Sequence, residues 1–163
     1  MGGIKTFRGQ PVAAGSARGL ALAADSPLSF WGGIDPDTGA IIDQRHPLAG
    51  QLAAGRVLVI PSGRGSCSGS GVLLEAIRRG TAPAAIILSR LDPIIGLGCI
   101  LGDEIYAAHP VMLVITESDR QQIASGDVIA IDEQGIVSVT PVGHGEPEQN
   151  TLLHLTSEGK SGR

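Results

Sequence analysis

The strongest constraint in this sequence is a regular alternation of apolar segments that begins at residue 56. Residues 56–60 (Arg-Val-Leu-Val-Ile) form a short aliphatic run of buried-strand length, and residues 71–80 switch to a helical pattern that stops at Gly80, a residue suited to a left-handed cap. Residues 84–89 form the next strand. A second helix is expected over about 93–103, a strand over 111–115, and a helix over 117–125 with Thr116 as its N-cap. Strand–helix–strand alternation implies parallel pairing. Residues 127–132 and 135–140 flank a turn at Glu133-Gln134 and predict a hairpin that closes the domain.

The part before residue 56 is less regular. Residues 8–24 carry Gly9, Pro11, Gly15 and Gly19 and read as a loop leading into a strand over 19–24. Residues 25–55 hold Pro27, Gly32, Gly33, Pro36, Gly39, Pro47, Gly50 and Gly55, an irregular stretch long enough to be functional or disordered. With 42% hydrophobic residues but only 2% aromatic, the core must be built from Ala, Val, Ile and Leu. The expected fold is α/β: one layered β/β/α domain over residues 1–140, with a mixed, mostly parallel sheet and a small barrel-like β layer. A polar, flexible tail is expected over 141–163. Neither an internal repeat nor coiled-coil heptads are present.

Charge and cysteine content exclude several functions. Net charge is −4 and the 12 basic residues are scattered, so no stripe exists to track nucleic acid. The opening residues lack an apolar signal region, and no run approaches the ~20 apolar residues of a membrane span; a soluble, cytoplasmic protein without a membrane partner is expected. Cys67 and Cys99 are too few for a disulfide framework and too far apart for a self-contained zinc site.

The densest chemical signal is Gly63-Arg64-Gly65-Ser66-Cys67-Ser68-Gly69-Ser70-Gly71, set between an expected strand and an expected helix. Its glycines let the main chain approach a ligand, and the helix start offers free N–H groups with partial positive charge. A phosphate-binding P-loop is excluded because the GxxxxGK[ST] spacing and its lysine are missing. A GxSxG nucleophile elbow is likewise absent. Two readings remain at this level. In the plainer one the serines cap the helix and the glycines fit a tight turn; in the other a serine acts as general base or acid, supported by N–H donors and Arg64.

Three blocks, Leu28-Ser29-Phe30-Trp31-Gly32-Gly33-Ile34-Asp35-Pro36-Asp37-Thr38-Gly39, Ile42-Asp43-Gln44-Arg45-His46-Pro47-Leu48 and Gly63-Arg64-Gly65-Ser66, together resemble the small, swivelling subunit of the aconitase X family. The resemblance runs from about Gly9 to Thr140. It implies a swivelling domain that docks on a larger subunit carrying an iron–sulfur cluster, the pair removing water from a small hydroxy acid. For bacterial members the implied substrate is cis-3-hydroxy-L-proline; for archaeal ones it is mevalonate 5-phosphate. By similarity Ser66 is the catalytic serine, with Arg64, Gly65, Cys67 and Ser68 in the active-site loop. Phe30, Trp31, Gly32, Gly33, Asp35 and His46 are expected at the rim or subunit interface. No metal ligand is expected in this chain, since a cluster needs about three cysteinyl or equivalent ligands and the two thiols are distant.

Other functions fit the same outline less well. A phosphohistidine carrier of swivelling fold needs a histidine that residues 63–71 lack, and the small subunit of isopropylmalate isomerase does not carry the SFWGGID block. A non-catalytic interaction module predicts that Ser66 is dispensable.

Overall fold

The computed structural model describes residues 2–143. The expected tail therefore falls, from His144 onward, outside the described residues. In chain order the elements are β1 (Lys5–Arg8), β2 (Gln10–Ala13), β3 (Ala17–Ala23), β4 (Val57–Ile60), α1 (Gly69–Arg79), β5 (Ala85–Leu88), α2 (Pro93–Tyr106), β6 (Val111–Val114), α3 (Glu117–Arg120), β7 (Val128–Ile131) and β8 (Ile136–Thr140).

Among the described residues the strands form one eight-stranded sheet in the order β1-β8-β7-β3-β4-β5-β6-β2. The block from β3 to β6 is parallel, because parallel neighbours need a crossover of a dozen or more residues. α1 and α2 supply two of these crossovers; the irregular residues 24–56 supply the third. Parallel pairing is confined to that block. β7, β8, β1 and β2 pair antiparallel, and the two ends of the strand order are consecutive in the chain, joined at Gly9. The sheet therefore curls into a nearly closed barrel.

Two sequence expectations are corrected. Residues 8–18 were expected to be loop, but Gln10–Ala13 form β2 and β3 already begins at Ala17, while β1 at Lys5–Arg8 was not anticipated. Pro11 sits opposite Leu113 beside a register shift, the kind of edge or bulge position where a missing N–H is tolerated. The helix expected over 117–125 stops at Arg120. Thr116 does cap it, accepting the Asp119 N–H at 3.1 Å, but the Asp127 carboxylate accepts the Ala124 N–H at 2.9 Å and Gly126 adopts φ +93°, which turns the chain toward β7.

The central strands are buried on both faces, and their alternation sorts two cores. Val57, Val59, Ala85, Ile87, Val111 and Leu113 point into the barrel with Phe7, Ile129, Val137 and Val139. Leu58, Ile60, Ile86, Leu88 and Met112 point the other way, under α1, α2 and the crossover segment. That segment is packed: Leu28, Phe30, Ile34, Ile41, Leu48 and Ala53 are all buried in the second core.

Candidate functional site

The glycine-serine loop leaves β4 and enters α1 at the C-terminal end of the parallel strands, where open parallel sheets place their ligand sites. Its path is set by the crossover segment. Gly63 makes a parallel bridge with Leu28, and the Arg64 N–H donates to the Leu28 carbonyl at 3.2 Å. Gly65 has φ +94°, and a Cβ there would stand 2.9 Å from Ser29 Oγ, so both backbone and space exclude a side chain. A Cβ on Gly63 would collide with the Asp92 carboxylate.

Ser66 is exposed. Its Oγ accepts the Ser68 N–H at 3.1 Å, and its carbonyl accepts the Gly69 N–H at 3.1 Å. Ser70 Oγ donates to the Cys67 carbonyl at 2.9 Å. Ser68 holds the N-cap position of α1 without a side-chain capping bond. The serines are thus partly turn-formers, as the plainer reading holds. Yet no acceptor among the described residues takes the N–H groups of Gly65, Ser66 or Cys67.

A small pocket of about 50 Å³ opens against this loop, with Leu28, Phe30, Ile94 and Ile95 as apolar walls and Gly63, Arg64, Ser66 and Asp92 contributing polar atoms. That volume holds about one or two waters, far below the several hundred cubic ångströms of a ligand pocket. Asp92 was missed by sequence reasoning. One of its oxygens caps α2, accepting the N–H groups of Ile94 at 2.9 Å and Ile95 at 3.1 Å; the other faces Gly63. The available signal was Asp92-Pro93 ahead of an apolar run, an N-cap followed by proline at the first helical position. Beyond Pro61 lies a wider cleft of about 320 Å³ bordered by Asp25, Pro27, Ser89, Arg90 and Glu117.

The residues expected at the rim separate into two groups. Trp31 is 61% exposed, whereas Phe30 is 3% exposed, so Phe30 floors the pocket rather than offering a ring to a partner. Gly32 turns with φ +73°, and a Cβ on Gly33 would collide with the Ser29 carbonyl oxygen. Asp35 accepts the Asp37 N–H and the Thr38 hydroxyl, both at 2.9 Å. His46 is buried; its Nδ1 accepts the Leu48 N–H at 3.2 Å and its Nε2 reaches the Ser26 carbonyl at 3.1 Å. That pattern fixes the tautomer with the proton on Nε2. Both ring nitrogens are engaged in holding the segment, not in facing the pocket. Arg64 is tied back to the same segment, its guanidinium 3.2 Å from Asp43 Oδ2.

The residues present do not fit an iron–sulfur cluster. Among the described residues no group of three or more His, Cys, Asp or Glu side chains could hold a metal. Cys99 is packed inside the core, and burial pushes its thiol up to about 12, the opposite of the thiolate that ligation requires. Cys67 is exposed, but with Cys99 it makes only two thiols, fewer than a cluster's usual set.

With this geometry in hand, comparison with known proteins is specific. The family model described as the aconitase X swivel domain matches residues 6–139. The chain is 40% identical over 137 residues to the cis-3-hydroxy-L-proline dehydratase of Hypocrea jecorina, a match covering 84% of this chain and 23% of that protein. It is 43% identical over 118 residues to the phosphomevalonate dehydratase small subunit of Methanopyrus kandleri, covering 72% of this chain and 84% of that one. Among solved structures, the holo-form of Thermococcus kodakaraensis aconitase X superposes with a TM-score of 0.76 at 31% identity, covering 84% of this chain and 99% of that one. The chain thus spans less than a quarter of the Hypocrea dehydratase but most of the Methanopyrus small subunit.

Proposed function

This chain belongs to the aconitase X swivel-domain family, and from that premise we propose that it is the serine-bearing small subunit of a hydro-lyase that dehydrates cis-3-hydroxy-L-proline to 1-pyrroline-2-carboxylate. The observation that carries the reading is the placement of Ser66. Its Oγ lies in the loop two residues ahead of the α1 N-cap, already accepts one backbone N–H, and belongs to a residue lining a pocket too small to enclose a substrate. A second wall from a large subunit would complete the site.

In this reading Ser66 Oγ takes the proton from the carbon beside the substrate carboxylate. The electron pair of that C–H bond becomes a C=C bond as the neighbouring C–O bond breaks; the departing hydroxide takes a proton from solvent to leave as water, and the resulting enamine tautomerises to the C=N bond of 1-pyrroline-2-carboxylate. Ionising a hydroxyl near neutral pH needs preorganised donors; the Ser68 N–H is one, and the positive end of the α1 dipole follows it. In this reading the iron–sulfur cluster belongs to the large subunit, which fits the lack of a metal-holding group among the described residues.

The test uses the complex. The chain is co-expressed with its cognate large subunit, reconstituted anaerobically with iron and sulfide, and assayed on cis-3-hydroxy-L-proline and on mevalonate 5-phosphate. Ser66→Ala is expected to lower kcat by about 10²- to 10⁴-fold while leaving assembly intact. Unchanged turnover would remove Ser66 from the reaction. Turnover of mevalonate 5-phosphate alone would instead select the second substrate, which the similarity to a phosphomevalonate dehydratase small subunit favours.

A further inference from the structure

Helix α2 is built the wrong way round for a helix that serves only its own domain. Residues 93–101 contain no charged side chain, yet the residues it buries include Gly96, Gly98 and Gly102, with Ile95 and Cys99. The larger side chains face out: Leu97 is 48% exposed, Ile100 52% and Ile105 56%. Their spacing puts them on one face. The helix cannot roll to bury them, because its glycines are occupied by close approach. A Cβ on Gly98 would stand 3.0 Å from Leu73 Cδ2, and one on Gly102 would stand 2.6 Å from Ile77 Cδ1 and 2.7 Å from the Ala108 carbonyl oxygen.

This apolar face is continuous with the site. α2 starts at Asp92, Ile94 and Ile95, which line the small pocket. The exposed Leu91 precedes them, and the exposed Trp31 lies across Gly69, whose built Cβ would stand 3.7 Å from Ile94 Cγ2 and 3.9 Å from the Trp31 nitrogen. From Trp31 the surface follows the 14 residues of α2, about 21 Å at 1.5 Å per residue. The helix carries no charge from Pro93 to Leu101, and the exposed Asp103 and Glu104 enter only in its last turns; an apolar centre with a polar rim is what a buried interface presents.

We propose that the outer face of α2, centred on Leu97, Ile100 and Ile105, is where the large subunit seats, so that the same contact roofs the Ser66 pocket. The proposal rests on the two-subunit reading above and names its surface. A large companion is the occupant because the pocket needs a wall that the described residues do not supply, and a second copy would bring only another glycine-serine loop. The relatives agree in kind: the matched region is 23% of the Hypocrea dehydratase or a chain called a small subunit.

The experiment measures binding, not turnover. The full-length chain is titrated against its tagged cognate large subunit, as wild type, as Leu97→Glu/Ile100→Glu, and as Glu75→Lys/Arg78→Glu on the outer face of α1. The α2 variant is expected to weaken binding by about 100-fold or more, since its new carboxylates would be buried without partners; the α1 variant is expected to bind within a few-fold of wild type. Circular dichroism and elution volume check folding, and hydrogen exchange of residues 94–105 in the wild-type complex provides a readout that needs no variant. Near-wild-type binding by a folded α2 variant, or no added protection of residues 94–105, would overturn the proposal. So would a wild-type homodimer that the α2 variant dissociates while still binding the large subunit. A complex that forms through α2 but turns over neither substrate leaves this surface standing and sinks the catalytic reading; no complex at all sinks both.

Discussion

Helices α1 and α2 lie side by side on one face of one sheet and meet water in opposite ways. α1 is an ordinary amphipathic surface helix. Its outer face carries Glu75, held by Arg78 at 2.6 Å and Arg79 at 2.7 Å, and Arg79 reaches Asp37 of the crossover segment at 3.1 Å. Hydrogen bonds from those two arginines hold the Glu75 carboxyl well below its usual range, at about 2. Its inner face inserts Leu73 and Ile77. α2 answers them with glycines and turns its own branched side chains outward. The difference teaches that the apolar content of a helix does not say which core it serves: α1 completes this domain, while the larger side chains of α2 point away from it.

The largest expected effects come from exchanging the glycines of the two helices for alanine. Gly102→Ala is expected to destabilise the chain by about 1–3 kcal/mol, because the new methyl meets a backbone oxygen as well as Ile77. Gly71→Ala, where nothing lies within 4 Å of the added atom, should stabilise it by up to about 1 kcal/mol through helix propensity. Denaturant melts that move in the same direction for both would erase the contrast.

Smaller effects are expected at the N-caps. Asp92→Ala removes the acceptor for two N–H groups and should cost about 0.5–2 kcal/mol. Ser68→Ala removes no capping bond and should stay within about 0.5 kcal/mol of wild type. Equal costs would mean that α1 is capped by its serine after all.

The gentlest test uses the thiols. Cys67, ahead of α1, is exposed, and Cys99, within α2, is buried. A thiol reagent at neutral pH should label Cys67 in the native protein and reach Cys99 only after unfolding, because burial holds that thiol protonated. Comparable native rates, read by mass spectrometry, would show that α2 is not seated on the sheet.

Much of this molecule was legible from residue order because its central strands and both helices repeat their own period. Val57 to Ile60 and Ala85 to Leu88 are apolar at every position since both faces are covered, and Gly80 caps α1 with φ 74° as its identity suggests. What escaped was set by distant partners. β1 and β2 are too short and too mixed in polarity to announce themselves, and exist because β8 and β6 offer them edges. Phe30 and Trp31 are adjacent in sequence with opposite exposures, a distinction decided by the core beneath Phe30. The glycine-serine loop could be read as a place for chemistry, but Asp92 joins it only through the fold.

The joint at Gly9 has a consequence for how the chain is made. β1 pairs with β8, as Lys5 does with Val139, while β2, one residue later, pairs with β6. During synthesis from the N-terminus, one of the earliest strands must wait for one of the last before the sheet can close. Until residues 136–140 leave the ribosome, the unclosed sheet exposes strand edges that can capture another chain. Closure at Gly9 therefore removes those strand edges from the reach of neighbouring chains.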